Sequence, residues 1–261
     1  MERIPWGPIR STLFSKFSFG DIKDIVGYSG INMTHLAGLE QMSSGGATKS
    51  QLLSAIDHQI GMMPPKEAAK VAAICCEEML RRNERLVEEL DRVLRRVGWQ
   101  FYENQLIPIE VFDVNEISDL PREATEDLLK SAIRLRDGDL DGALSSACAA
   151  LDSTTTSIYL KFNIGDPGKA SFQEKVRKSL DALMIIDKLN QELEALNWNE
   201  ATVKTFCQNL NGAFNQAAYV MQQLRSNMGD VHGTRPVIAA LVYDSLKWSA
   251  LLLRVLNNRV I

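Results

Sequence analysis

The residues best equipped for chemistry lie together late in the chain, in the run Leu224-Arg225-Ser226-Asn227-Met228-Gly229-Asp230-Val231-His232-Gly233. Arg225 and His232 have six residues between them and stand on either side of a turn expected between two helices. Together they suit acid-base cleavage of a phosphodiester, with the histidine moving protons and the arginine meeting the phosphate. That reaction needs a group that moves protons near neutral pH and a cation that meets charge developing on the phosphate. Histidine supplies the first, typically worth about 10²- to 10⁴-fold. Arginine supplies the second, through two parallel hydrogen bonds to phosphate oxygens. Gly229 and Gly233 let the turn bring His232 back towards Arg225 and leave space for a phosphate, while Asp230 or Asn227 can orient the imidazole. The same two residues also suit a structural use, with Arg225 at the negative end of a helix and His232 capping the next turn.

The wider context resembles a known family. Arg-x(4 to 6)-His across a helix-to-helix turn is similar to the signature of HEPN domains. Abortive-infection C-terminal domains of this type resemble Arg-Asn-x-x-Gly-Asp-x-His-Gly at this place, and Arg225, Gly229, Asp230, His232 and Gly233 agree with it. Ser226 departs, standing where the family usually has asparagine, with Asn227 one position later. Upstream, Arg136-Asp137-Gly138-Asp139-Leu140-Asp141-Gly142-Ala143 followed by Ala147-Cys148-Ala149-Ala150-Leu151-Asp152 looks like the family's opening helix, with its Gly-Asp turn and an acidic residue near Asp152. The resemblance covers residues 121–261 and implies a HEPN-like helical bundle there. It implies Arg225 and His232 as catalytic residues, with Asn227, Gly229, Asp230, Gly233 and Asp152 binding or orienting substrate. It further implies RNA as substrate, no metal or other cofactor, and a homodimer in which two Arg-His pairs face each other. The role implied is toxin-like RNA cleavage in antiviral abortive infection. The alternative within the same family is a non-catalytic module that binds RNA or assembles into a larger defence complex.

The elements that must position these residues follow from apolar spacing. Val203, Phe206, Cys207, Leu210, Phe214, Ala217, Val220, Met221 and Leu224 recur mostly every three or four positions, predicting a long amphipathic helix that ends near Arg225. A last helix is expected after Gly233, capped by Thr234, with Ile238, Leu241, Val242, Leu252, Leu253 and Leu256; Trp248 lies off its stripe. Upstream, helices are predicted over 124–136 and 140–162, joined at Asp137-Gly138-Asp139. After the break Gly165-Asp166-Pro167-Gly168, another is predicted over 172–190, with Val176, Leu180, Leu183 and Ile186 on one face.

Residues 1–120 read as a small helical module of the adaptor kind, a place for a regulatory or defence-complex partner. Short helices are predicted over 21–26 and 34–42, then a Thr48-capped helix carrying Leu52, Leu53, Ile56 and Ile60. Pro64-Pro65 opens one helix running over 66–97, which Gly98 stops. On it, Glu77 to Arg81, Glu78 to Arg82, Glu88 to Arg92 and Asp91 to Arg95 have the i,i+4 order of a solvated, ion-paired face. A short β-hairpin near 99–111 is expected around Glu103-Asn104-Gln105, with Pro108 restricting its second strand to an edge, followed by a polar linker at 112–121. The fold class is therefore all-α, in two parts.

The 261 residues are 45% hydrophobic and 24% charged, sufficient for packed cores and unlike a disordered chain. A net charge of −4 argues against a protein held to nucleic acid over its whole surface, though not against a local basic site. Cys75, Cys76, Cys148 and Cys207 have neither zinc-knuckle nor redox spacing and read as reduced core thiols. His35 and His58 lack partner spacing and read as structural or surface residues. Phosphate-loop, zinc-helix and nucleophile-elbow motifs are lacking. With no apolar run long enough for a signal peptide or a membrane span, a cytoplasmic protein without membrane contact is expected.

Overall fold

Ser18 and Thr48 start two helices by the same device. Each side chain accepts the backbone N–H three residues on, while Asp21 or Gln51 at that position reaches back to the capping residue's own N–H. Such a box satisfies donors that a helix start leaves orphaned, and its Ser or Thr is worth about 1 kcal/mol. A computed structural model describes residues 4–42, 45–112, 117, 120–228 and 236–257, and its described residues are all-α apart from one two-stranded hairpin. The chain divides into two compact units, residues 1–110 with 136–138, and residues 111–135 with 139–261.

In the first unit, α1 (Trp6–Lys16), α2 (Phe19–Tyr28), α3 (Lys49–Met62), α4 (Pro65–Arg82) and α5 (Val87–Leu94) enclose one apolar cluster. α1 was not signalled by periodicity. It is held by Ile9 and Leu13, four apart and fully buried, and by Trp6 and Arg10, both of which donate to the Asp57 carboxylate of α3. The helix expected over 34–42 is only a single 3-10 turn, Met33–Leu36. The helix expected over 66–97 is broken at Asn83, whose extended backbone (φ −150°, ψ 86°) redirects the chain. Leu86, Leu90 and Leu94 then enter the core from a new direction.

The hairpin pairs β1 (Trp99–Tyr102) with β2 (Gln105–Pro108), Trp99 opposite Pro108 and Tyr102 opposite Gln105. Its turn is the two residues Glu103 and Asn104, both left-handed (φ 44° and 65°), the pattern that matches strand twist. Both outer edges are closed by side chains. The Phe101 N–H donates to Asp91 (2.9 Å), and the Leu106 N–H donates to Glu77 (3.1 Å). Arg136, which falls in this unit and whose side chain is 5% exposed, donates to the Leu106 carbonyl (2.7 Å) and to Glu77 (2.5 Å). Burial works against the Arg136 charge, but hydrogen bonds to Asp137 and the Glu77 charge outweigh it and hold the group above its ordinary value. Glu77 is thus spent on a strand edge rather than on Arg81, which pairs with Glu78 instead; Arg82 reaches Asp21 and Asp24 on α2, and Asp91 to Arg95 keeps the expected order.

The second unit contains α6 (Arg122–Asp137, except its last two residues), α7 (Leu140–Phe162), α8 (Phe172–Ala182), α9 (Ile185–Ala195), α10 (Glu200–Met228) and α11 (Ala239–Leu256). α7 is central, packing on α8, α10 and α11. Its contact with α11 uses small residues: Ser249 lies close enough for its hydroxyl to donate to the Ala147 carbonyl (2.7 Å). The helix expected over 172–190 is broken at Met184, which adopts a left-handed conformation (φ 54°). The break turns Ile185 inward in place of Leu183, and α9 packs on α10 through Leu193, Val203 and Cys207. Among the described residues no helix is long and apolar enough to cross a membrane.

Candidate functional site

On α7, Cys148, Asp152 and Thr156 are spaced by four and form one ridge. Two neighbouring helices bring cations to it. Lys175, in the first turn of α8, is held there by the Ser171 cap, whose hydroxyl accepts the Glu174 N–H. Arg225 lies in the last turn of α10, which runs three residues beyond it to Met228. The register of α10 against α8 is set nearby: the orphan Gln173 N–H at the start of α8 donates to Gln222 (3.0 Å), and the Gln173 side chain donates to the Asn215 carbonyl (3.2 Å).

The two cations take different oxygens of one carboxylate. Lys175 Nζ lies 2.5 Å from Asp152 Oδ1 and donates also to Thr156 Oγ1 at 3.3 Å. Arg225 Nη1 lies 3.9 Å from Asp152 Oδ2, an ion pair without a hydrogen bond. The Lys175 side chain is only 8% exposed, against 34% for Asp152 and 40% for Arg225. Lysine is rarely buried without a partner, because desolvating its charge costs several kcal/mol, so Asp152 and Thr156 are what allow it to sit there. Burial pushes the Cys148 thiol up to about 12, with the Arg225 charge pulling against it and Asp152 adding to it. Among the described residues, two positive charges meet one negative there, leaving a surplus of positive charge on the Arg225 side.

Of the residues the sequence singled out, the structure brings Arg225 and Asp152 together. Asn227 is in the final turn of α10 and donates its amide to the Gln223 carbonyl (2.7 Å). Gly229, Asp230, His232 and Gly233, with the expected cap Thr234, lie outside the described residues. Lys175 went unnoticed in the sequence because a lone lysine in a first helical turn reads as a solvated charge. Its signal was indirect, Asp152 and Thr156 set four apart so that they share one side of the helix. No family model, no curated protein and no solved structure matches the chain.

Proposed function

We propose that the chain is a metal-independent endoribonuclease of the HEPN abortive-infection type, a toxin-like enzyme of antiviral defence acting in the cytoplasm. The observation that carries this reading is the approach of Arg225 to Asp152 at 3.9 Å, beside buried Lys175, with the guanidinium still partly open to solvent. An arginine that, among the described residues, meets a carboxylate without hydrogen-bonding it suits a phosphodiester. His232 takes the proton of the 2′-hydroxyl as its oxygen attacks phosphorus. The bond to the 5′-oxygen breaks, and an acid protonates that leaving group, giving a 2′,3′-cyclic phosphate and a free 5′-hydroxyl. Arg225 meets the charge that accumulates on the phosphate oxygens. In a homodimer the second His232 supplies the acid, since a two-fold interface repeats the same patch on both sides. The N-terminal unit is the element through which a regulatory or defence-complex partner restrains the enzyme until triggered.

A second reading, a non-catalytic HEPN module that binds RNA or assembles a complex, draws on Asn227, whose amide is already committed to Gln223. One experiment separates the two. Purified protein incubated with total RNA in excess EDTA is expected to produce fragments ending in cyclic phosphate. His232→Ala and Arg225→Ala each abolish them, and Arg225→Ala leaves melting nearly unchanged because the partly exposed arginine fills no core space. RNA left intact by the wild type removes the enzyme reading, and cleavage that vanishes in EDTA and returns with magnesium overturns the mechanism.

A further inference from the structure

We infer that Lys175 is a positioning residue that keeps the Arg225 guanidinium available to a phosphodiester by occupying the carboxylate that would otherwise capture it. The inference rests on Arg225 as the anion site of the function proposed above, though not on cleavage. Three observations lead to it. First, Asp152 and Arg225 face each other from adjacent packed helices, α7 and α10, with both side chains more than a third exposed. A carboxylate and a guanidinium so placed ordinarily close into a bidentate pair, two parallel hydrogen bonds that spend the same donor edge a phosphate would use.

Second, that closure is not what the structure has. Asp152 Oδ1 is bonded to Lys175 Nζ at 2.5 Å, and Arg225 remains at 3.9 Å from the other oxygen, beyond hydrogen-bonding distance. Among the described residues this ion pair is the contact that Arg225 makes to a charged group. Third, Lys175 cannot itself serve the ligand, being buried and fixed by Thr156 as well as Asp152. Its effect is exerted through Asp152. Lys175 neutralises the carboxylate from the buried side, and Arg225, 40% exposed, is left without a hydrogen bond to Asp152.

Removal of the Lys175 charge therefore closes Arg225 onto Asp152, and removal of the carboxylate as well releases it again. The test uses the full-length protein and a short 2′-deoxyribonucleotide, which carries phosphodiesters but no attacking hydroxyl. Wild type is expected to bind it in an Arg225-dependent way. Lys175→Met is expected to bind about tenfold more weakly, the equivalent of one charge-assisted hydrogen bond. Lys175→Met combined with Asp152→Asn regains most of that loss. The Nε–H resonance of Arg225 reports the cause, becoming slow to exchange with water in Lys175→Met and fast again in the double variant. Lys175→Met binding as well as wild type overturns the inference, as does a double variant as weak as the single one, which would mean that Lys175 touches the ligand or holds the fold. Binding that does not change in Arg225→Ala also overturns it. Arg225-dependent binding and rescue in a protein that never cleaves RNA uphold this role of Lys175 while removing the enzyme.

Discussion

Cys148 sits one helical turn before Asp152, fully buried, and burial pushes its thiol from an ordinary 9.0 up to about 12. Cys75 on α4 is raised to about 12 as well, again by burial, and its neighbour Cys76 is raised well above 9.0 for the same reason. A thiol whose folded value lies above its unfolded one favours the folded state while protonated. The stabilisation is whole below 9.0 and is lost as pH rises towards about 12. Two outcomes are expected: native protein at pH 9 leaves Cys75, Cys76 and Cys148 unmodified by an alkylating reagent, and the urea midpoint falls as pH is raised above about 9. Rapid labelling of Cys148 in the folded protein would show that the ridge beside Asp152 is open to solvent and that Lys175 lacks the dry surroundings described for it.

Helix breaks and helix contacts operate at the next scale. Asn83 and Met184 interrupt segments whose apolar spacing alone predicts continuous helices, because a straight rod would carry Leu86, Leu90 and Ile185 away from the cores they enter. The α7 to α11 contact has the opposite character, two helices drawn close by small residues. Ala147 and, by spacing, Ala143 and Ala150 lie on that side of α7, and Ser245 and Ser249 are buried on α11. The hydroxyl at 249 bonds a carbonyl already used within its own helix, a contact that nothing bulkier reaches. Ser249→Leu is expected to cost about 1 to 3 kcal/mol through overpacking, whereas Ser249→Ala loses about 1 kcal/mol with the hydrogen bond. Chemical denaturation measures both. Because α7 carries Asp152, the leucine variant is also expected to weaken Arg225-dependent binding of the oligonucleotide, and an unchanged affinity would show that the site tolerates movement of its central helix.

At the scale of the whole molecule, the proposed reaction asks for two proton-transfer groups where one chain offers one histidine in the motif. A two-fold dimer resolves the shortage, with each protomer giving a base to one phosphate and an acid to the same reaction. Trp248 on α11 is half-buried and, four residues before Leu252, lies on the face of Leu252 and Leu256 rather than off it; its exposed part would give such a dimer an anchor of the kind that interfaces favour. Sedimentation of the full-length protein at micromolar concentration is expected to give a dimer, and a strict monomer that still cleaves RNA would show the composite site to be wrong. The first unit has its own apolar core and its own closed hairpin.

The sequence by itself determined what neighbouring residues decide. Thr48 caps its helix, Gly98 ends the helical run with a left-handed turn (φ 88°), 140–162 is one helix within its expected bounds, and two strands flank the expected turn, which is shorter by Gln105 because that residue opens β2. Each depends on backbone preferences and apolar period over a few residues. Arg225 and Asp152 stand out in the sequence only through the family resemblance, which gives no indication of how near each other they lie. Tertiary structure alone decided that Glu77 closes a strand edge instead of pairing with Arg81, and that Lys175 leaves water to hold Asp152. The physical reason is common to both. A charge on a helix pairs with its own neighbour only weakly in water, by a few tenths of a kcal/mol, and a buried strand edge or a buried ammonium outbids that for the same carboxylate. Which groups become buried depends on how distant helices pack, and that is not written at any fixed spacing along the chain.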